Sequence, residues 1–362
     1  MKRIALIFFA FLLSITFTVF PAVSIAGLQH EAQTETDTKQ FKAGDFVMDH
    51  VSDAFEWHIL TYHHTHVSVP LPVILYSKHS GWHVFLSSRF HHGHESYKNF
   101  SIAATGKHAG KIVETDAQGT ESLPIDLSMT KVVFGILFSV IILIWLFTAI
   151  ARSAVRNAGK APAGLQNMFE PVILFVRDEV AVPAIGSTKA ERFLPFLLTL
   201  FFFILVNNLL GLIPIFPFGA NVTGNIGVTL VLALFTFLVT TFSGNKHYWK
   251  EIYNPDVPLW LKFPFPLMPI IELTGMITKP FVLMVRLFAN MMAGHMIIMV
   301  FVSLIFIFSS LMGPGAGAGV SVISIIFSVF MTLLDVLVSF IQAYVFTLLS
   351  ALYFGMATAE HH

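Results

Sequence analysis

The sequence predicts an all-α polytopic membrane protein with about five membrane helices, the last two forming a long tilted hairpin. An amphipathic surface helix and a small exported N-terminal domain with β content complete the expected fold. Three observations lead there. Charged residues are only 12% of the 362 and hydrophobic residues 55%, whereas a soluble domain carries about 25% charge; mean hydropathy is +0.75. The apolar residues gather in runs long enough to cross a hydrocarbon core of about 30 Å. The polar residues gather instead at 27–128, which holds 12 of the 16 histidines. The absence of cysteine excludes disulfides, thiolate metal sites and cysteine nucleophiles. A net charge of zero leaves no electrostatic footprint for nucleic acid.

The chain begins with Lys2 and Arg3, an apolar stretch, and the small-residue pattern Ser24-Ile25-Ala26. This reads as a secretory signal peptide over 1–26, cleaved near Ala26, with an uncleaved anchor as the alternative. Either way the following segment is exported. Alternation of apolar and polar residues at 66–77 and 81–88 predicts short strands in the exported domain, 27–128. The histidine clusters "HHTH" (63–66) and "HHGH" (91–94) lie there too. Imidazole-rich tracts bind zinc or copper, yet no HExxH spacing is present, and no metal is expected to be functional.

The membrane domain, 129–362, opens with an apolar run at 131–151. Residues 165–181 put Met168, Val172, Phe175 and Val176 on one helical face and Glu170, Arg177 and Asp178 elsewhere, as in a helix lying on a membrane surface. Runs at 193–216 and 225–242 supply two further crossings. Loop 152–192 carries Arg152, Arg156, Lys160, Arg177, Lys189 and Arg192; loop 243–264 carries Lys246, Lys250 and Lys262; loop 217–224 carries no basic residue. Because cytoplasmic loops collect Lys and Arg, the first two are expected inside and the third outside, in agreement with an exported N-terminus. Residues 265–312 and 320–356 form two long helical stretches split by a flexible "GPGAGAG" at 313–319. At 1.5 Å per residue the first is roughly 60–70 Å long, which predicts a tilted hairpin with some bending at Pro280.

Across 265–356 the ionisable side chains are Glu272, Lys279, Arg286, His295 and Asp335. Such groups at membrane depth cost a few kcal/mol each and mark ion or substrate paths. Snorkelling to the interface accounts well for Lys279 and less well for Glu272, but Arg286 is followed by too long an apolar stretch. At 100° per residue Arg286 shares a face with Asn290, and Ala293 and Gly294 continue it, so small residues beside the charge allow another helix to approach. His295 points away from that face, towards the arm that carries Asp335 and, seven residues on, Gln342. A His–carboxylate pair can carry protons; the alternative is a buried salt bridge that fixes the hairpin. Arg286 has effectively no neutral form and so relays no proton, but it can hold a neighbouring carboxylate ionised.

At these residues the chain resembles subunit a of the F-type ATP synthase. The resemblance rests on "KPFVLMVRLFANMMAGHM" (279–296), with support from "NNLLGLIP" (207–214), "NVTGNIG" (221–227) and "FIQAYVFTLLSALY" (340–353), and covers roughly 130–362. It implies a stator proton-channel subunit of a bacterial inner membrane, with a periplasmic N-terminal domain and a cytoplasmic C-terminus. The implied partners are the c-subunit ring, the b subunits of the peripheral stalk and the rest of the complex, with membrane lipid around the chain and no nucleic acid. Arg286 would face the essential carboxylate of the ring. Asn290, His295, Asp335 and Gln342 match the half-channel open to the exported side, and Glu272 the cytoplasmic one. Many bacterial members carry Glu and His in the reverse order at the positions of His295 and Asp335, and Val282 replaces a small polar residue. No bond chemistry and no cofactor are expected, since no G-x-x-x-x-G-K-[ST] loop occurs. A secondary transporter with Arg286 binding an anionic substrate is the competing reading, although the internal repeats usual there are missing.

Overall fold

The computed structural model describes residues 53–359 apart from 63, 64, 79, 94, 104–107, 109, 117–120, 214 and 254–266. The expected signal peptide and residues 27–52 lie outside the described residues.

The N-terminal region is built of short antiparallel strands. β1 (Glu56–Tyr62) pairs with β2 (Thr65–Pro70). β3 (Pro72–Ser77) stands between β4 (Gly81–Leu86) and β8 (Ile125–Asp126), and β6 (Ile112–Thr115) between β5 (Phe100–Ile102) and β7 (Glu121–Ser122). Strands therefore occur where the alternation predicted them. In β3 alternate side chains are buried, and Val73 and Leu75 close a small core with Phe90, Phe100 and Ile112. This region is fused to the membrane helices. The Met129 amide donates to the Pro72 carbonyl and the Lys131 amide to the Ala54 carbonyl. Trp57 packs edge-on against Phe134 and Phe216, with ring centroids 5.8 and 5.5 Å away.

Among the described residues, five helices are long and apolar enough to cross a membrane. The first, α1 (Lys131–Arg156), is capped by Thr130, whose hydroxyl accepts from the Val133 amide, and by Asp53, which accepts from the Val132 amide at 3.1 Å. These caps satisfy orphan donors of the first turn. The amphipathic stretch forms α2 (Leu165–Phe175), a π-helical turn over Val176–Ala181 and α3 (Val182–Ile185). Its inner face is centred on Val176, Val180 and Ala181, all fully buried, whereas Met168 is 67% exposed. Met168 thus lies outside the inner face, which runs instead through Gln166, Val176, Val180 and Ala181.

The second span, α4 (Ser187–Gly211), starts before the apolar run and ends sooner than the hydropathy suggested. Pro214 disfavours helical backbone in the residue before it and supplies no amide, so the chain turns at Leu212 and Ile213. Phe201, Phe202 and Phe203 are all buried here. α5 (Ile226–Ser243) is capped by Asn225, which accepts from the Gly227 amide at 2.9 Å, and the short α6 (Lys246–Tyr253) follows. α7 (Leu267–Met312) and α8 (Pro314–Thr358) form the hairpin. At 1.5 Å per residue α7, with 46 residues, is about 69 Å long, and it runs through Pro280 as one helix.

The flexible linker expected at 313–319 is not observed. Helix resumes at Pro314, where a missing amide costs nothing in a first turn, after a single break at Gly313 with φ 88°. Gly317 then lies against Ser309, close enough that an added Cβ would meet the Ser309 side chain at 2.7 Å. Gly317 thus serves close approach of the two arms, whereas Gly313, Gly315 and Gly319 have nothing within 4 Å of an added Cβ.

The bundle has two distinct ends. Loop 215–225 meets the start of α1 and the strand region, as Phe216 and Phe218 pack on Phe134 and Phe138. At the other end Asn245 donates from its amide to Ala357 and Lys189 donates to the Thr358 carbonyl. The end of α8 therefore lies beside Lys189 and Asn245.

Candidate functional site

The site is organised by α7, whose two faces have different surroundings. Leu283, Met284, Leu287 and Met291 are buried against the neighbouring arm and α5. Phe281, Val282, Arg286, Ala289, Asn290 and Ala293 are exposed on the other side. Arg286 stands in the middle of this outward strip and, among the described residues, makes no hydrogen bond or ion pair. Asn290 lies one turn away on the same strip, as the helical spacing requires. Gly294, expected to continue that face, belongs instead to the inner one.

The reason is Asp335 on α8. A Cβ on Gly294 would meet the Asp335 carboxylate at 2.6 and 2.8 Å, so the missing side chain is what admits that carboxylate between the arms. Asp335 is 8% exposed, and its Oδ2 is buried without a hydrogen-bond partner. Gln342, two turns along α8, is also buried, as is Ser339 between them, whose hydroxyl donates back to the Asp335 carbonyl.

His295 reaches across to a third helix. Its Nδ1 lies 3.0 Å from the Met291 carbonyl and its Nε2 3.3 Å from the Gly211 carbonyl at the end of α4. A neutral imidazole has one N–H and satisfies one of these acceptors, while imidazolium donates to both. His295 and Asp335 are close enough for their charges to interact but form no direct ion pair. The surrounding shell is polar. Thr223 donates to the Asn208 Oδ1 at 2.5 Å, while the Asn208 and Asn221 amide nitrogens are buried without partners. Sequence inspection singled out the segments holding these asparagines, but not their convergence on the His295 side of the bundle.

Towards the other end of α7, Glu272 is half-buried and its charge acts on Tyr248 of α6. Burial, and secondarily that negative charge, push the Tyr248 phenol above its ordinary value. Lys279 is half-buried and stands over the Tyr353 ring at 5.7 Å. Thus His295 and Asp335 lie near one level of the hairpin, Gln342 lies two turns further along α8, Glu272 lies towards the opposite end of α7, and Arg286 and Asn290 sit on the outer strip between.

Among the described residues no three His, Cys, Asp or Glu side chains gather as a metal site. The side chains of the two histidine clusters lie outside the described residues, so that reading is untouched.

This arrangement has close relatives. Residues 132–355 match the family model "ATP synthase A chain". The chain belongs to that family. Residues 46–131 match a second model, a domain of unknown function designated DUF8433. Among curated proteins, ATP synthase subunit a 2 of Chlorobaculum tepidum is 46% identical over 242 residues, 65% of this chain and 64% of that protein. ATP synthase subunit a of Chloroherpeton thalassium is 43% identical over 65% of the chain and 68% of its own length. The Myxococcus xanthus subunit is 41% identical over 66% and 75% respectively. The chain thus spans somewhat less than two thirds of the first of these relatives. Family membership and the five spans make it a multi-pass membrane protein.

Proposed function

We propose that this chain is the stator half of an ATP synthase proton channel, a subunit that performs no bond chemistry itself. On this reading it lies in a bacterial inner membrane with the strand region periplasmic and the C-terminus cytoplasmic. The segregation of basic segments to the end away from the strands supports that orientation. The partners are a ring of c subunits, whose carboxylates pass over the exposed strip of α7, the b subunits of the peripheral stalk and the remainder of the complex.

One observation carries the proposal. Arg286 is a permanent cation in the middle of an apolar helix, turned outward and without an ion pair among the described residues. An arginine in hydrocarbon needs an anionic or polar neighbour, and a carboxylate of another subunit supplies one. Protons enter from the periplasmic side past Asn290, His295, Asp335 and Gln342 and neutralise a ring carboxylate, which then turns into lipid. After its circuit the carboxylate loses the proton towards Glu272 and meets Arg286 ionised, because the adjacent guanidinium favours the charged form. Each charge that crosses 100 mV releases about 2.3 kcal/mol, so several crossings accumulate per ATP made elsewhere in the complex.

The test is Arg286→Ala in the assembled complex. The expected result is loss of proton-driven ATP synthesis with the c ring still co-purifying; normal synthesis refutes the reading. Asp335→Asn is expected to slow proton uptake from the periplasmic side. Combining His295→Glu with Asp335→His is expected to restore part of the activity lost by either alone, and an unrescued double variant argues against direct coupling of the two positions.

A further inference from the structure

The strand region has a small core, Val73, Leu75, Phe90, Phe100 and Ile112, and two of its strands, β7 and β8, are two residues long. Small domains with so little core are commonly held together by disulfides or by a structural metal. A chain without cysteine is left with the second. Both histidine clusters belong to this region, and HExxH is not the spacing that would make them ligands there. That pattern aligns two imidazoles on a helix, whereas on an antiparallel ribbon neighbours come from alternate residues of facing strands. The register of β1 and β2 provides such neighbours. His58 stands opposite Ser68, and Thr61 opposite His66. Because Ser68 and His66 are two residues apart on β2, His58 and His66 occupy diagonal positions on one face, about 7–8 Å apart along the backbone. Glu56 belongs to that face too, since the Ser68 hydroxyl donates to its carboxylate at 2.9 Å. The other face carries Trp57 and Val69, which pack on the membrane helices, so the face with the histidines is the one turned away from the bundle. The second cluster is brought to the same strand. The 3-10 turn Ser87–Gly93, which contains His91 and His92, lies against β1. Its first residue is tied to the end of the ribbon: the Ser87 amide donates to the Leu71 carbonyl, and the Ser87 hydroxyl accepts from the Leu71 amide.

We infer that the strand region binds one divalent ion of the zinc class, at the place where the ribbon face bearing His58, His66 and Glu56 meets the turn bearing His91 and His92. Imidazole and carboxylate donors together suit Zn²⁺, which takes four of them at about 2.0–2.2 Å, and the juxtaposed residues number enough to supply four. The ion joins two parts of the region that are separate in sequence. One is the ribbon, anchored on the membrane helices through Trp57; the other is the turn whose Phe90 fills the small core. It does for this region what a disulfide does for other small domains, and it involves none of the channel residues.

The test uses the assembled complex, isolated without a polyhistidine tag, equilibrated with Zn²⁺ and washed with a weak chelator before metal analysis. One Zn²⁺ retained per copy of this chain is expected; none retained, or uptake that does not saturate at one, overturns the inference. His58→Gln and His66→Gln are each expected to lower the affinity at least ~10–100-fold, the loss seen when only a group behind a metal ligand is removed. His108→Gln changes a histidine of the same region outside both the ribbon and the turn, and should keep the ion. If all three variants keep it, or all three lose it, the ion is adventitious and the site is refuted. A strong chelator should speed proteolytic cleavage within residues 53–128 of the wild-type complex and make no difference once His58→Gln and His66→Gln are combined. Cleavage of the double variant that still responds to chelator refutes the assignment of these two residues. Should the variants fail to assemble, Co²⁺ in place of Zn²⁺ in the wild-type complex decides. Intense visible absorption is expected of a tetrahedral site, and the pale spectrum of six-coordinate aqueous Co²⁺ overturns the proposal.

Discussion

The contact between Gly294 and Asp335 sets the spacing of the hairpin at its most polar level, and Gly294→Ala tests it. A methyl at this position would sit 2.6, 2.8 and 2.9 Å from Oδ1, Oδ2 and Cγ of Asp335, where unstrained non-bonded heavy atoms keep roughly 3.5–4.0 Å. Asp335 is 8% exposed, so its short side chain has no free space to swing into. Overpacking of this kind costs about 1–3 kcal/mol, while replacing a mid-helix glycine by alanine gains about 1 kcal/mol of helix propensity. Gly275, in the same helix, has nothing within 4 Å of an added Cβ and feels only the gain. The two substitutions should therefore differ by about 1–3 kcal/mol, or roughly 1–4 °C in Tm for 362 residues at an unfolding entropy of about 2.1 cal/mol/K per residue. Thermal denaturation of the purified complex, with proton-driven synthesis measured in parallel, reads this out. In an Asp335→Ala background the cost of Gly294→Ala should disappear, a coupling of about 1–3 kcal/mol in a double-mutant cycle. If Gly294→Ala behaves like Gly275→Ala, or the two changes simply add, α7 and α8 do not touch as described.

Three further perturbations follow from the packing. Trp57→Ala removes a buried ring that ties the strand region to Phe134 and Phe216, at a cost of about 3–5 kcal/mol; limited proteolysis should then cut residues 53–128 faster while the hairpin stays protected. Gly355→Ala drives a methyl into the Ala184 carbonyl, a backbone atom that cannot rotate away, and the yield of folded chain in membranes should drop sharply. Asp53 is held above its ordinary value by burial, against the opposing pull of the Val132 and Ala54 amides and the Lys131 charge. A raised carboxyl value means that the folded chain keeps a proton the unfolded chain has lost. Stability should therefore decline as pH rises from 3.8 through the folded value and level off above it. Asp53→Asn should remove that slope in pH-dependent thermal unfolding while retaining an acceptor for the Val132 amide; a wild-type slope of opposite sign would refute the assignment.

Much of this molecule was legible because hydrocarbon imposes a blunt rule. A span needs about 20 apolar residues, and a charge among them stands out, so the five spans, Arg286 and Asp335 could be read directly. What the sequence left undecided was relational. A helical wheel puts Gly294 within reach of the Arg286 face, and only the position of α8 decides that it faces Asp335 while Ala289 and Ala293 border the arginine. The glycines after Met312 looked like a flexible linker because composition does not reveal that Gly317 has Ser309 against it. Tyr248 and Tyr353 carry no charge at neutral pH, so the sequence did not mark them as the neighbours of Glu272 and Lys279. The π turn at Val176–Ala181 has no sequence signature of its own, and a helical wheel could not show that Met168 stays exposed while Val180 and Ala181 are buried.

On the proposed reading one guanidinium performs two tasks, and the geometry explains why neither is separable from a partner. Along α7 the His295 level lies about 13 Å from Arg286 in one direction and Lys279 about 10 Å in the other, at 1.5 Å per residue. A proton that crossed directly between the two polar clusters would pass within some 5 Å of Arg286, where like charges repel by about 3 kcal/mol at an effective dielectric of 20, a suppression of roughly two orders of magnitude. A carboxylate brought to the same place gains a comparable attraction, so the group that blocks the leak also discharges the rotor. Yet Arg286 lies on the exposed strip, and an unpaired arginine at a bilayer centre costs about 2.5–3.5 kcal/mol or more. Only when a neighbour covers the strip is that cost offset and the barrier closed. The chain made without a c ring should therefore be both short-lived in the membrane and poorly sealed, and stable accumulation of a proton-tight chain on its own would contradict this account of Arg286.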